Sequence, residues 1–274
     1  MIRPNILRAH SDVALHYDEL DPIYRALWGE HVHHGLWTTV RETPSEAVEA
    51  LSDRVWQTLG LASGARLVDI GCGYGATARR FARYGADVTG LTLSAEQIAH
   101  APPTDGVTLL RRDWLRSELA DAAFDGAYSI ESSEHMEDKP RFFAEARRVL
   151  RPGGRLVICA WLEGEGATPW QVRHLLEPIC REGRLPSMGS ASDYRAMAAD
   201  AGFACDAYQD VSARVARTWT ICLRRFGWAM VSDGAVRRVV LGARNRDFAW
   251  SVPRLILAYR TGAMRYGIFS FRAE

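Results

Sequence analysis

The stretch Leu67-Val-Asp-Ile-Gly-Cys-Gly-Tyr-Gly-Ala-Thr-Ala-Arg-Arg80 constrains the fold of this chain more than any other. An apolar run ends at Asp69-Ile70, and glycines follow at alternate positions, Gly71, Gly73 and Gly75. A stretch of helical character begins at Ala76. This order predicts a buried strand, a tight turn and a helix N-terminus. Glycine takes positive φ without steric cost and lets a ligand approach the backbone closely. The unbonded N–H groups of the first helical turn then face whatever lies above the loop. An ordinary strand–turn–helix corner needs neither the aspartate nor three glycines, so the stretch reads as a binding loop.

Around it, short apolar runs alternate with helical patterns. Strands are predicted at Arg66–Ile70, Asp87–Thr92, Val107–Arg112, Phe124–Ile130, Arg155–Trp161 and Phe203–Asp210, with a last one at Arg265–Arg272. Helices are predicted from Thr43 to about Leu61, at Ala76–Tyr84, Ser94–His100, Arg141–Leu150, Trp170–Arg181 and Ser192–Ala201, and through 214–262. Ser11 to Trp28 has helical spacing, and Asp21-Pro22 divides it into two helices. The alternation predicts an α/β fold, a Rossmann-like, mostly parallel sheet with right-handed crossovers and a helical cap. Residues 1–274 read as a single domain. The core is expected at about 61–163 plus 200–212 and 263–273, and the cap from 1–60, 164–199 and 213–262.

Composition narrows the classes. A net charge of +1 does not point to nucleic acid or an anionic membrane as a partner. No apolar run approaches the roughly 18 residues of a membrane helix. The five cysteines, Cys72, Cys159, Cys180, Cys205 and Cys222, are scattered without metal spacing. They read as free thiols of a reducing, cytoplasmic protein. The oligomeric state is left open, a homo-oligomer included.

Two ligand chemistries fit the glycine loop. Gly71, Gly73 and Ala76 loosely satisfy the dinucleotide pattern of an NAD-type oxidoreductase. Asp69 favours the other reading. A carboxylate two residues before the first glycine repels a pyrophosphate but suits an ammonium group, directly or through water. S-adenosyl-L-methionine (SAM) carries such a group, and the stretch resembles motif I of class I SAM-dependent methyltransferases. Further segments are similar to the γ-tocopherol C-methyltransferase branch of that class. They are Tyr17-Asp18, Tyr24, Trp28-Gly-Glu-His-Val-His-His-Gly-Leu-Trp37, Val88-Thr-Gly-Leu-Thr-Leu-Ser94, Ile130-Glu-Ser-Ser-Glu-His-Met136, Arg151-Pro-Gly-Gly154 and the terminal Leu255–Phe271. Sugar O-methyltransferases of indolocarbazole biosynthesis and plant indole-alkaloid N-methyltransferases look similar too. The resemblance covers nearly the whole chain. It implies a seven-stranded sheet with a late antiparallel strand, SAM as cofactor and a small-molecule acceptor. Carbon, nitrogen and oxygen acceptors all stay open. So does a non-catalytic SAM-binding protein of the same fold.

The candidate residues follow. Asp69, Gly71 and Gly73 form the loop. The acid expected about 20 residues on, for ribose hydroxyls, is missing. Leu91 holds its place, and Thr92 with Gln97 are the nearest polar groups; the resembling branch usually has Thr or Ser there. Asp113 accepts from an adenine amino group or caps a turn, and Trp114 packs on the ring or in the core. Tyr17 bonds the cofactor carboxylate or belongs to a packing helix. Glu131 opens the segment after strand 4, where ligands bind in such sheets. His135 is the best candidate general base and Glu134 the second, alone or by orienting an imidazole; packing is the alternative for His135. Some O-methyltransferase relatives carry a histidine where this chain has Glu134, and an aspartate where it has Ala160-Trp161. His31, His33 and His34 lack the flanking ligands of a metal site, so no metal is expected. His34 and Trp37, with Trp161, are expected in the wall of a pocket for an apolar or aromatic acceptor. The arginines from Arg214 to Arg246 form a solvated face or meet an anionic substrate.

Overall fold

Val68, Ile70, Val88, Leu91, Ala127 and Tyr128 are shielded from solvent. That is the environment of parallel strands covered on both faces. The computed structural model describes residues 1–4, 30–39, 41–232, 234, 237, 238 and 247–274. Its strands are β1 (Arg66–Ile70), β2 (Asp87–Thr92), β3 (Val107–Arg111), β4 (Phe124–Ile130), β5 (Leu150–Glu163), β6 (Phe203–Asp210) and β7 (Met264–Ala273). They form one seven-stranded sheet in the order β3-β2-β1-β4-β5-β7-β6. β1 to β5 run parallel, and β7 is antiparallel to both β5 and β6. The order reverses between β1 and β4, so a crevice opens at the C-terminal ends of those strands.

The helices are α1 (Pro44–Leu59), α2 (Ala76–Arg83), α3 (Ala95–His100), α4 (Lys139–Val149), α5 (Pro169–Gln171), α6 (Glu177–Glu182), α7 (Ala191–Asp200), α8 (Ser212–Val215), α9 (Arg217–Ser232) and α10 (Asp247–Thr261). α5 and α6 are joined by a wider π turn, Val172–Leu176. Thr43 and Glu46 close a reciprocal capping box at α1. Ser94 is the N-cap of α3 rather than its first residue. The helices expected between Ser11 and Trp28 lie outside the described residues, as does Tyr17. No helix among the described residues is long and apolar enough to cross a membrane.

β5 begins five residues earlier than expected. Leu150 pairs with Phe124 and Arg155 with Gly126, so Arg151-Pro-Gly-Gly154 loops out within the strand instead of merely ending α4. Gly153, at φ 77°, takes the reversal.

Alternate residues feed two cores. Leu67, Val157 and Ile268 join Phe81, Trp219 and Tyr259 on one face. Val68, Leu156, Ile158, Phe269 and Phe271 join Phe142 and Tyr194 on the other. There Tyr194 stacks on Phe269 with ring centroids 5.5 Å apart, and Phe269 stacks on Phe271 at 5.6 Å. Phe269 is fully buried in the middle of this stack. Phe269→Ala is expected to lower the stability by about 3–5 kcal/mol, through lost burial and an unfilled cavity. Urea denaturation checks it, with the slope of the transition unchanged.

Candidate active site

The loop after β1 can lie against the loop after β4 only because residue 71 has no side chain. Gly71 sits at φ 77°, and a Cβ on it would lie 2.3 Å from the Cβ of Ser132. The Ser132 hydroxyl donates to the Ile70 carbonyl and lies 2.7 Å from the Ser129 hydroxyl, which locks the two loops together. Gly73, at φ 55°, has open space where a Cβ would point. Both glycines line a solvent-open cleft.

Three other strand ends complete the cleft. At the end of β2, Thr92 donates to Gln97 Oε1 at 2.6 Å and accepts from the Ser94 N–H at 3.2 Å. These groups line the wall where the acid is missing. After β3, Trp114 also lines the cleft, and its Nε1 donates to the Phe142 carbonyl at 3.2 Å. The neighbouring Asp113 caps the turn Trp114–Arg116, accepting from the Leu115 N–H at 2.9 Å. After β4, Ile130, Glu131, Ser132, His135 and Met136 also line the cleft. Neither Asp69 nor Asp113 is part of its lining. Asp69 lies beneath the loop, 3% exposed, and accepts from the Tyr128 hydroxyl at 2.9 Å. Burial pushes its carboxyl up to about 7, against the opposing hydrogen bond from Tyr128.

The Glu131 carboxylate accepts four hydrogen bonds. Oε1 accepts from the His34 N–H at 2.7 Å and the Tyr266 hydroxyl at 2.8 Å. Oε2 accepts from His34 Nδ1 and Trp161 Nε1, both at 2.9 Å. Burial opposes its charge, but His34, His33 and the donors prevail and hold the carboxyl down at about 2. Its backbone is left-handed at φ 54°, at a cost of about 1–2 kcal/mol for a residue with a Cβ. The four hydrogen bonds to an ionised acceptor offset that strain. They also gather the segment before α1, the end of β5 and the start of β7 above the cleft. His34 is 2% exposed, ringed by Trp161, Trp219, Tyr259 and Tyr266 at centroid distances of 5.1 to 6.0 Å.

Glu134 and His135 sit in the short turn Ser133–His135, and their side chains have different surroundings. His135 lines the cleft. The Glu134 carboxyl accepts from the Trp161 N–H at 2.6 Å and the Ser133 hydroxyl at 3.1 Å. Burial pushes it up to about 7; the Trp161 N–H opposes this, and the charge of Glu131 adds to it. Lys139 then holds the backbone on either side of His135. Its buried ammonium donates to the carbonyls of Glu134 and Met136, at 3.2 Å each, and to the carbonyl and hydroxyl of Ser187. Burial lowers it to about 8. Lys139 was invisible to motif reasoning because a lysine at the start of an amphipathic helix reads as solvated. The start of α4 does bury a lysine, beneath the turn that carries His135.

The histidine-rich segment is divided in the same way. His33 donates from Nδ1 to the His34 carbonyl at 2.9 Å, which leaves its Nε2 to accept from His31 Nδ1 at 3.2 Å. Burial, with His33 and nearby arginines, lowers His31 to about 3, so the pair is neutral at ordinary pH. Among the described residues, no group of three or more His, Cys, Asp or Glu side chains could hold a metal ion. Trp37 is not part of the lining of the glycine-loop cleft. Its Nε1 donates to Thr218 at 3.1 Å, and the Arg217 guanidinium lies 4.4 Å from its ring centroid. It lines a separate cavity with His31, His33 and Arg79.

A family model described as mycolic acid cyclopropane synthetase matches residues 5–231. The chain belongs to that family. Tocopherol O-methyltransferase of Arabidopsis thaliana is 30% identical, over 94% of this chain and 80% of its own length. The 27-O-demethylrifamycin SV methyltransferase of Amycolatopsis mediterranei is 33% identical, over 79% of this chain and 82% of its own. The cyclopropane synthase MmaA2 of Mycobacterium tuberculosis superposes with a TM-score of 0.84 at 25% identity, covering 98% of this chain and 99% of that one. The protein is a class I SAM-dependent methyltransferase of the tocopherol-like branch. Its cofactor is SAM, which sets aside the nicotinamide reading of the loop. The cleft fits that cofactor. Gly73 leaves its floor open, Thr92 and Gln97 supply hydroxyl and amide groups suited to ribose hydroxyls, and Trp114 supplies an aromatic wall.

Two substitutions separate the carboxylates. Glu131→Gln withdraws the ionised acceptor from four donors and should cost about 2–4 kcal/mol in urea denaturation. Glu134→Gln should behave oppositely with pH. A carboxyl whose folded pKa is raised contributes stability below its unfolded value, and that contribution is lost as pH rises through about 7. The variant, which cannot ionise, should therefore gain on the parent between pH 4.5 and 8, by on the order of 3 kcal/mol. Thermal melts across that range check the sign.

Proposed function

We propose that the enzyme methylates a small, largely apolar aromatic or isoprenoid acceptor, with His135 removing a proton from its hydroxyl. The observation carrying this reading is that His135 lines, with Val32, Ile130 and Met136, the cleft that the glycine loop also lines. When bound, SAM supplies a sulfonium methyl, an electrophile that is already charged. The chain's own work is alignment of the acceptor, exclusion of water and removal of the acceptor's proton. A neutral imidazole can take up a proton at a ring nitrogen, which is the chemistry this step needs. For a phenol, the resulting phenolate is nucleophilic at oxygen and at the ortho carbon. At oxygen, an in-line displacement completes the reaction, with the proton on His135 and the thioether departing. At carbon, the methylated ring must in addition lose its ring C–H proton to a base, and the oxygen regains a proton from His135 as the phenol is restored.

Glu134 acts here as a positioning residue. Its carboxyl ties the His135 turn to β5 through the Trp161 N–H. Glu131 contributes charge rather than contact. Held ionised, it places a negative potential beside the cleft, which favours a cationic cofactor. His34 and Trp161 support the acceptor side through their bonds to Glu131. The tocopherol and rifamycin relatives act on hydroxyl-bearing small molecules by name, which accords with this acceptor class.

The experiment is methyl transfer from labelled SAM to a panel of tocopherols, prenylated phenols and polyketide alcohols, with the product read by mass spectrometry. His135→Ala should lower turnover by about 100-fold or more, while calorimetric SAM affinity stays within about threefold. Unchanged turnover removes His135 as the base, and lost SAM affinity assigns it to the cofactor instead.

A further inference from the structure

α9 has one face in the core and one face exposed to solvent. Thr218, Trp219 and Cys222 are buried. Leu223, Arg224, Arg225, Gly227, Trp228 and Val231 are exposed, Trp228 by 74% and Val231 by 77%. Scattered exposed apolar side chains need no account, but these are not scattered. Seven large hydrophobic side chains are exposed among the described residues, and five of them, Trp170, Leu223, Trp228, Val231 and Leu257, stand on α5, α9 and α10. α9 packs on α10, and α10 packs on α6 and the π turn before it, so the three exposed helical faces belong to one assembly.

Charge indicates the occupant. The charged residues of α9 are Arg217, Arg224 and Arg225, and the helix has no acidic residue. The near-neutral balance of the whole chain conceals this local excess. Arg224, Arg225, Trp228 and Val231 share a shallow groove along the helix. A second copy of the chain docking by the same face would bring arginines against arginines, which a symmetric interface disfavours. A bilayer surface with anionic headgroups satisfies both features at once. Indole and aliphatic groups enter the boundary between headgroups and acyl chains, and guanidinium groups remain among the phosphates.

We propose that α9 docks this methyltransferase onto anionic lipid surfaces, with Trp228 and Val231 inserting and Arg224 and Arg225 bound to lipid phosphates. The docking is peripheral and reversible, since one helix face supplies it. Salt weakens it by screening the arginines. The inference is independent of which acceptor is methylated.

Flotation of the full-length protein with vesicles tests it, comparing pure phosphatidylcholine with an equimolar mixture of phosphatidylcholine and phosphatidylglycerol. Binding is expected to the mixed vesicles only, and to fall in 0.5 M salt. Arg224→Glu/Arg225→Glu and Trp228→Ser/Val231→Ser should each weaken it by at least about tenfold. Circular dichroism and SAM binding should stay at parental values, which shows that the variants fold. The proposal is overturned by absence of binding to the mixed vesicles, by equal binding to both vesicle types, or by binding that both double variants retain. A solution dimer that Trp228→Ser/Val231→Ser dissociates, with no vesicle binding, would assign the face to a second copy instead.

Discussion

The site depends on one buried anion. Glu131 stands where β4 ends, in a left-handed conformation that a residue with a side chain adopts at a cost. Its carboxylate collects donors from His34, Trp161 and Tyr266. Those residues belong to the segment before α1, to β5 and to β7. β5 is already laddered to β4, and the carboxylate adds the segment before α1 and the start of β7 to that edge. A buried carboxylate without partners would take up a proton and release them. The same four donors that keep it ionised therefore also bring those segments together above the cleft.

Two nearby carboxyls of the same residue type are driven apart by their partners. Glu131 faces imidazole, indole and phenol donors and stays charged. Glu134, three residues on, has a backbone N–H and a serine hydroxyl, and the charge of Glu131 discourages a second one. A protonated Glu134 can still accept the Trp161 N–H, so the turn bearing His135 is held without placing two anions together. Lys139 completes the support by gripping the carbonyls on both sides of His135. The histidine then occupies a rigid turn, which is what a group aligned on a reacting atom requires.

Much of this was legible in order along the chain. β1, β2 and β4 end where their apolar runs end, because a parallel strand must bury both faces and its sequence shows it. The glycine loop was legible because Gly71 has a steric reason to lack a side chain. The role of Glu131 was not, since its partners lie 30, 97 and 135 residues away and only the sheet order brings them together. The early start of β5 was hidden by Arg151-Pro-Gly-Gly154, whose residue types signal a stop but here form an excursion inside a strand. Trp37 follows the histidines in sequence, yet its indole is captured by Thr218 and turned to another cavity. The local arginine excess of α9 vanished into an overall charge of +1.

The central claim is that Glu131 is held as an anion while the Glu134 carboxyl beside it is driven up to about 7. Carbon-13 NMR of the glutamate side-chain carboxyls, assigned by comparison with single glutamine variants, measures both ionisations in the folded protein. The account predicts that Glu134 titrates near 7 and that Glu131 remains ionised well below the usual carboxylate range, toward about 2. Two resonances titrating together near 4.5 would contradict it.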